Sequence, residues 1–309
     1  MYPSDTWPAF GIFVKREVEA LRRLGLEIDV LFVNGRRSKA SYAQGFPRLW
    51  RHLRARPYDL VHAHYVFSGL VARAQWSHPV VLTHWGLEVF TTWQSPICKT
   101  VTPWFDQVIV QSDQMRQELP GQDAHVIPAG VDTDFFHPMP RDEARRRAGL
   151  PLDKKLVVWV GEPRIEKRFD LAEQAMAKVT ATDPEAELVV LTKQPQEMVP
   201  VYMNACDVLL LTSDAEGSPN VIKEAMACNL PTVSTPVGDV AAVTGGTDGC
   251  YIGDHDAGRL AEELHRALAF GRRTDGRSAV LPLGLEATAK RVSAVYDEAV
   301  GRAAPSTDA

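Results

Sequence analysis

The chain has 309 residues, of which 45% are apolar and 24% charged, and its net charge is −5 at pH 7. These values fit a globular protein with two domains of ordinary size and argue against a general nucleic-acid binder. The four cysteines lack zinc-type spacing, and no apolar run is long enough to span a bilayer. We therefore expect a cytoplasmic protein with reduced thiols and no metal site.

Short β-rich runs alternate with helical patterns, which is typical of parallel sheets covered by helices. In the first half, a helical pattern over 12–24 precedes predicted strands over 27–33, 59–64, 79–84, 107–111 and 124–128. The second half predicts strands over 155–161, 187–192, 207–212, 231–234 and 250–252. Further helices are predicted over 168–181, 197–205, 219–228, 256–270 and 285–300. The predicted fold class is α/β.

A polar, highly charged segment over 138–151 is bounded by prolines and has the composition of a linker with room for one helix. We therefore predict an N-terminal domain over 1–140 and a C-terminal domain over 150–284. The last helix, 285–302, is assigned to the first domain. Ligands of parallel sheets bind beyond the carboxyl ends of the strands, so we expect the site in a cleft between the domains.

The most informative stretch runs from Glu216 to Glu224 and reads EGSPNVIKE. Glu216 follows the predicted strand 207–212, and Pro219 suits the first position of the helix that contains Glu224. The backbone N–H groups between the two carboxylates lie at a helix N-terminus, which favours anions. A carboxylate farther along the helix is suited to accept paired sugar hydroxyls. This combination fits a nucleotide sugar, and an ordinary capped helix with surface glutamates is the alternative for this stretch alone.

Other motifs support the nucleotide-sugar interpretation. They are Val160-Gly161 before Glu166-Lys167, IPAGVDTDFFHP over 127–138, Tyr2-Pro3, and PAFGIFV over 8–14. Together with EGSPNVIKEAMACNLPTVSTPVGDV over 216–240, they resemble the motifs of the family 4 (group 1) retaining glycosyltransferases of the GT-B fold. The resemblance covers nearly the whole chain. It implies two Rossmann-like domains facing across a cleft, and sugar transfer from a nucleoside-diphosphate sugar to an acceptor hydroxyl with retention of configuration, in cell-surface polysaccharide or glycolipid synthesis.

The resemblance also implies roles in the C-terminal domain. Lys167 is the cation at the donor diphosphate, Glu216 faces the transferred sugar, and Glu224 accepts the ribose hydroxyls. The other donor-binding groups are Gly217, Ser218, Asn220, Val221 and Arg164. Ordinary positions on the surface or at a helix cap stay open as alternatives for the three charged residues. No cofactor is expected because the nucleotide sugar is a substrate, and a UDP-sugar is expected over a GDP-sugar.

On the acceptor side, the resemblance places in the cleft Gly11, His84, Trp85, Gly86 and Glu88. The family motif is His-Gly-x-Asp, whereas this chain has WGLE over 85–88, with His84 one residue early. A one-residue shift in a strand turns a side chain to the opposite face, so His84 is either a cleft residue or a core histidine. Trp85 is able to stack on a sugar ring, and Glu88 fits the acidic position.

The chain departs from the family pattern at several places. A family member normally has a β-strand ahead of Tyr2, and we expect that the chain is N-terminally short. A missing central strand leaves backbone groups unpaired, at about 1–3 kcal/mol for each buried group. Glu162 stands where the family has a phosphate-binding arginine, so it must turn away or pair with Arg164, or the donor binds differently. A Gly-rich loop and strand are also lacking over 192–200.

The expected partners are the nucleotide-sugar donor and a sugar or lipid-linked acceptor, and no nucleic acid. Residues 36–58 contain seven basic residues and no acid, with Trp50 and Leu53 interleaved. This stretch is either a peripheral contact with the inner face of the membrane, as a lipid-linked acceptor requires, or a solvated helix face.

Two rival functions stay open, a non-catalytic or truncated sugar-nucleotide-binding protein and a GT-B sugar-nucleotide epimerase. A dinucleotide oxidoreductase is disfavoured because no G-x-G-x-x-G motif follows a predicted strand. The DxD sequence Asp132-Thr133-Asp134 lies at the start of the linker segment, where we interpret it as a turn and not as a metal motif.

Overall fold

The computed structural model describes residues 2–3, 10–35, 38, 40–91, 93–119, 121 and 123–301. The chain forms two compact units, one from its first residues to Gly130 together with the chain from Leu285 onward, and one over Val131–Gly284. Several residues discussed above lie outside the described residues, namely Pro8, Ala9, Arg36, Arg37, Lys39 and position 302.

The first unit contains a parallel sheet with the strand order β1-β2-β3-β4. Its strands are β1 (Val61–His64), β2 (Val80–Thr83), β3 (Gln107–Val110) and β4 (His125–Val126). The helices that precede or connect them are α1 (Ile12–Arg23), α2 (Ala40–Ala55), α3 (Val66–Ala72), α4 (Leu87–Phe90), α5 (Ser95–Val101) and α6 (Asp113–Glu118).

The second unit contains a parallel sheet with the strand order β6-β5-β7-β8-β9. Its strands are β5 (Lys155–Val160), β6 (Ala186–Leu191), β7 (Val208–Leu211), β8 (Thr232–Ser234) and β9 (Cys250–Ile252). Its helices are α7 (Arg141–Ala148), α8 (Phe169–Thr182), α9 (Val199–Ala205), α10 (Asn220–Ala227), α11 (Val240–Thr244), α12 (Ala257–Phe270) and α13 (Gly276–Val280). The last helix, α14 (Leu285–Ala299), belongs to the first unit.

The strand predicted over 27–33 is wrong, because the structure assigns no strand there. A cavity of about 700 Å³ is lined by this segment on one side and by β1 on the other. Neighbouring strands must lie about 4.8 Å apart to form ladder hydrogen bonds, so this gap leaves the segment without a partner strand. Two of its carbonyls accept from arginines instead, Ile28 from Arg22 at 2.6 Å and Phe32 from Arg48 at 3.0 Å.

The other predicted strands and helices form at the expected places, with ends that shift by one or two residues. In the second unit, successive residues of β5 alternate between the two faces of the sheet. Leu156 and Val158 pack on the side of α10, whereas Val157 and Trp159 pack on the side of α8 and α12. Both faces of this sheet are therefore covered, and its loops at the carboxyl ends are fixed by a rigid core.

The division between the units falls at Gly130–Val131, ahead of the segment 138–151 with linker composition. The helix that this segment can hold is present as α7. Ala144 of α7 packs against Val201 and Ala205 of α9, which ties the segment to the second unit.

All four cysteines are free thiols, and three of them are buried. No helix in the described part of the chain is both long and apolar enough to cross a membrane.

Candidate active site

The loop that follows β5 is fastened to the loop that follows β7. The hydroxyl of Thr212 donates to the carbonyl of Lys167 at 2.9 Å, and the backbone N–H of Asp214 donates to the carbonyl of Glu166 at 2.9 Å. The buried Trp159 indole donates to Thr212 Oγ1 at 3.2 Å. A threonine hydroxyl has one proton, so accepting from the indole directs its own proton to Lys167. The core thus positions the backbone of Lys167.

These contacts bring two predicted catalytic residues together. Lys167 Nζ lies 2.5 Å from Glu216 Oε1, and the two side chains are 18% and 17% exposed. Ser213 Oγ donates to the same carboxylate oxygen at 2.9 Å. The Glu216 carboxylate is therefore held from two sides, and it fixes where the Lys167 ammonium lies.

The turn after Glu216 leads directly into α10. Pro219 is the N-cap, so the helix begins at Asn220, one residue later than the sequence predicts. The first N–H groups of a helix lack intrahelical acceptors and favour an anion. Asn220 Oδ1 is buried and has no hydrogen-bond partner among the described residues. The N-terminus of a helix and an unpaired amide oxygen together make this turn suited to phosphate oxygens and hydroxyl groups.

The other predicted donor-binding residues also lie in the second unit. Gly217 is buried, whereas Ser218, Val221 and Glu224 are half-buried. Glu224 comes four residues after Asn220, so both lie on one face of α10. Arg164 lies at the exposed rim, where it pairs with Glu166 at 3.1 Å.

In the first unit, the structure places two of the predicted cleft residues in the interior. His84 is fully buried, and its Nε2 lies 3.0 Å from Thr102 Oγ1, which is the core position that the sequence left open. Glu88 is 3% exposed and accepts the backbone N–H of Trp85 at 2.8 Å. Both side chains are therefore buried and have hydrogen-bond partners inside the first unit.

The remaining predicted acceptor-side residues are Trp85, Gly86 and Gly11. Trp85 is half-buried, with its ring centroid 4.4 Å from that of Phe13, and its indole donates to His64 Nδ1 at 3.3 Å. Gly11 (φ 72°) and Gly86 (φ 139°) begin α1 and α4 with backbone angles that favour glycine.

The first unit also brings together three residues that metals often use, Glu17, His62 and His64, with ligand-capable atoms within 4.8 Å of one another. Hydrogen bonds already occupy both His62 nitrogens, through Tyr296 at 2.6 Å and Thr83 at 2.7 Å. His64 Nδ1 accepts from Trp85, so its neutral ring carries the proton on Nε2, the nitrogen that faces Glu17. This arrangement disfavours a metal ion and fits a buried polar cluster.

The electrostatics of this cluster follow from burial. Desolvation raises the pKa of Glu17 to about 8 and lowers the pKa of His62 to about 3. The pKa of His64 is also lowered well below its usual value, first by desolvation. At neutral pH the three side chains are therefore uncharged.

The DxD sequence forms a turn. Asp132 Oδ1 accepts the backbone N–H of Phe135 at 3.0 Å, which is the side-chain-to-backbone turn that an aspartate favours.

Two family models match the chain, one described as Glycosyltransferase Family 4 over residues 11–135 and one described as Glycosyl transferases group 1 over residues 157–269. The chain belongs to the family 4 glycosyltransferases. The family predicted from the motifs is therefore confirmed, and the protein is a glycosyltransferase.

Two curated relatives have the same sequence identity to this glycosyltransferase, but the two matches cover different shares of the chains. The putative teichuronic acid biosynthesis glycosyltransferase TuaC of Bacillus subtilis is 28% identical over 339 residues, a match that covers 86% of the chain and 87% of that relative. D-inositol 3-phosphate glycosyltransferase of Mycobacterium bovis is 28% identical over 268 residues. That match covers 71% of the chain and 56% of the relative.

Solved structures show the fold of the glycosyltransferase. Sucrose-phosphate synthase from Thermosynechococcus elongatus has a TM-score of 0.79 at 20% identity, with 96% of this chain and 95% of that chain covered. Anabaena HepE in complex with UDP and glucose has a TM-score of 0.64 at 15% identity, with 91% and 89% covered. At these identities the likeness concerns the fold alone, which is GT-B with two Rossmann-like domains, as predicted.

Sequence reasoning assigned no role to several residues that contact members of the candidate site, namely Trp159, Thr212, Ser213, Lys223 and Asp239. Thr212 and Ser213 carried a usable signal, because polar residues directly after a buried strand lie at the carboxyl edge of the sheet. Lys223 carried no such signal, since a lysine on a helix is expected in solvent.

Proposed function

We propose that this glycosyltransferase moves a sugar from a nucleoside-diphosphate sugar to an acceptor hydroxyl with retention of the anomeric configuration. A UDP-sugar is the first candidate donor, and synthesis of a cell-surface polysaccharide or glycolipid is the proposed context. The observation that carries the proposal is the pairing of Lys167 with Glu216 beside the turn that begins α10. A fixed cation and helix N–H groups are what a leaving diphosphate requires.

In the proposed reaction, the acceptor oxygen bonds to the anomeric carbon on the face from which the β-phosphate oxygen departs. The bond between the anomeric carbon and that oxygen breaks, its electron pair stays on the diphosphate, and the same oxygen takes the acceptor proton. Negative charge grows on the diphosphate during this step. Groups that already point at the developing charge lower the barrier, because they need no reorganisation.

Each donor-side residue has a role in this proposal. Lys167 and the N–H groups of the α10 turn bind the diphosphate, with Arg164 as a candidate helper at the rim. Glu216 faces the transferred sugar, where it stabilises positive character at the anomeric carbon. Glu224 accepts the ribose hydroxyls, and the buried oxygen of Asn220 accepts a further hydroxyl of the donor.

Similar proteins support the choice of donor and context. The structure of HepE has been solved with UDP and glucose. Another solved structure similar to this chain is a UDP-forming trehalose-phosphate synthase, with a TM-score of 0.66 at 16% identity. TuaC carries the description of a putative teichuronic acid biosynthesis enzyme, which favours a polysaccharide or glycolipid acceptor.

We further propose that α2 makes a peripheral membrane contact. Phe46 and Trp50 of this helix are 37% and 44% exposed, and the Arg54 guanidinium lies 5.5 Å from the Trp50 ring. Exposed arginines flank the aromatic rings, and the helix contains no acidic residue. Exposed aromatic rings beside basic groups are suited to an anionic membrane surface, where a lipid-linked acceptor would lie.

The test is calorimetry of the purified protein with UDP, GDP and ADP, followed by NMR of the product formed from the donor that binds. We expect UDP to bind most tightly and the product to keep the anomeric configuration of the donor. Binding of none of the three nucleotides would refute the proposal. A product formed from the donor alone, without acceptor, would identify a sugar-nucleotide epimerase instead.

A further inference from the structure

Lys223 is a lysine buried inside the unit that holds the proposed donor site. It is the fourth residue of α10, and its exposed fraction is 0%. Side chains on a helix lean toward its N-terminus, so Lys223 extends beneath the turn that precedes the helix. Its ammonium donates to Ser218 Oγ at 2.8 Å. Ser218 is one of the residues that we propose to bind the donor.

The contact continues to a second segment. Ser218 Oγ donates to Asp239 Oδ2 at 2.6 Å. Gly238, the residue before Asp239, has a φ of 57°, and a Cβ at this position would lie 2.6 Å from the carbonyl oxygen of Gly217. The segment that carries Asp239 therefore packs directly on the backbone of the donor turn, and the lysine, serine and aspartate fix the two against each other.

A charge at this position is costly, because burial removes the water around it. Desolvation lowers the pKa of Lys223 to about 8, and the two charged groups that face it, Asp239 and Glu224, oppose that shift. Burial also raises the pKa of Asp239. The neighbours Ile222, Ala225 and Met226 are buried and apolar. An apolar side chain of the same length would therefore pack here without that cost, which indicates a use for the charge.

We propose that Lys223 is a positioning residue for donor binding, whose buried charge fixes the turn over Gly217–Asn220 through Ser218 and Asp239 and adds positive potential behind its N–H groups. This inference rests on the proposed function, because the ligand that it serves is the diphosphate of the donor.

A dependence on pH follows. An anion bound in front of the turn stabilises protonated Lys223 and raises its pKa, and by linkage protonation of Lys223 strengthens anion binding. Affinity for a nucleoside diphosphate should therefore be constant below the pKa of about 8 and fall as the pH rises above it. If the bound anion raises the pKa of Lys223 by one unit, affinity for the anion falls about tenfold as the lysine loses its proton.

The test is calorimetry with the nucleotide that the wild type binds, from about pH 7 to about pH 9, on the wild type, Lys223→Met and Asp239→Asn, with Glu17→Gln as control. Methionine keeps the length of the side chain without the charge. We expect Lys223→Met to bind about tenfold more weakly at pH 7 and to lose the decline at higher pH. The change in protonation of the nucleotide itself with pH affects binding to all the proteins equally, so it cancels when their affinities are compared as ratios.

Asp239→Asn tests the same coupling without removing the lysine. Loss of the facing carboxylate lowers the pKa of Lys223, so the decline in affinity should move to lower pH. Glu17→Gln removes a group that titrates in the same range in the other unit, and it should leave the affinity profile unchanged.

Equal affinities and parallel pH profiles in the wild type and Lys223→Met would overturn the inference. A decline at unchanged pH in Asp239→Asn, or a constant ratio between the wild type and Lys223→Met at every pH, would reduce Lys223 to a packing role and overturn it as well. If the wild type binds no nucleoside diphosphate, the proposed function itself fails. Binding with an unaltered Lys223→Met profile defeats this inference alone.

Discussion

Lys167 Nζ and Glu216 Oε1 lie 2.5 Å apart, although 49 positions separate the two residues in the sequence. Neither residue reaches this position by itself. The hydroxyl of Thr212 holds the carbonyl of Lys167, and Ser213 holds the carboxylate of Glu216. The pair is thus part of the folded second unit, and its cation is already in place at the turn where we propose the diphosphate binds.

Replacing Lys167 with alanine should lower the turnover of sugar transfer at least tenfold, which corresponds to about 1.4 kcal/mol of lost transition-state stabilisation. The reason is that the departing diphosphate loses the cation that Glu216 holds beside the α10 turn. Initial-rate measurements with saturating donor would show the change.

Arg168→Ala is the matched control, because Arg168 follows Lys167 directly and its guanidinium pairs with Asp170 and Asp214 on the surface. Its turnover should stay within about twofold of the wild type, in line with the small contribution of exposed ion pairs. Full activity in Lys167→Ala would contradict the assigned site.

The second unit was predictable because each of its signals is local. The EGSPNVIKE stretch contains the strand end, the turn and the helix start within a few residues, and the structure forms α10 one residue from the predicted start. The family resemblance assigned Lys167 to the donor diphosphate. The structure brings it close to this turn because β5 and β7 are neighbouring parallel strands that end at the same edge of the sheet.

The features that the sequence did not determine depend on distant parts of the chain. The segment 27–33 has a strand-like pattern, but strand pairing needs a neighbour, and a cavity lies between it and β1. Lys223 is buried in a region where Gly238 packs on the backbone of Gly217, a contact between distant segments that no local pattern shows. For His84, a one-residue shift in register decides its face, so the sequence left two positions open.

Glu224→Gln should raise the KM for the donor more than it lowers kcat. The amide keeps the size of the side chain but loses the charge that strengthens hydrogen bonds from a ribose diol, about 1.5–3 kcal/mol for a charged group. We expect a rise in KM of roughly tenfold. Glu173→Gln, at an exposed position on α8, is the control and should match the wild type. An unchanged KM in Glu224→Gln would remove Glu224 from the donor site.

Glu17 should make the stability of the first unit depend on pH. Its pKa is raised from 4.5 to about 8 in the folded protein, so between these values the folded state holds a proton that the unfolded state has lost. Stability therefore falls as the pH rises through this range. Buried His62, with a pKa lowered from 6.5 to about 3, acts in the opposite direction but only up to its unfolded value of 6.5.

Within the first unit, the range between pH 6.5 and 8 consequently separates the titration of Glu17 from that of His62. Glu17 faces the neutral His64 and Tyr296. Urea unfolding of the wild type should lose up to about 1.4 kcal/mol for each pH unit in this range. Glu17→Gln should abolish that loss. Glu19→Gln, at an ion pair with Lys15 on the solvent side of α1, should keep it. A wild-type stability that stays flat from pH 6.5 to 8 would contradict the buried, protonated carboxyl.

The surface of α2 predicts binding to anionic vesicles. Each basic residue near such a surface contributes about 1 kcal/mol, so replacing Arg51, Arg54 and Arg56 with glutamine should weaken binding more than tenfold. Arg56 also pairs with Asp29, but both side chains are exposed and that pair adds little to stability. A triple variant at Arg146, Arg147 and Arg259 in the second unit changes the net charge equally and controls for it. Co-sedimentation with vesicles that contain phosphatidylserine measures the difference. Equal binding by the two variants would mean that α2 is a solvated helix face, and that the membrane contact has to be sought elsewhere.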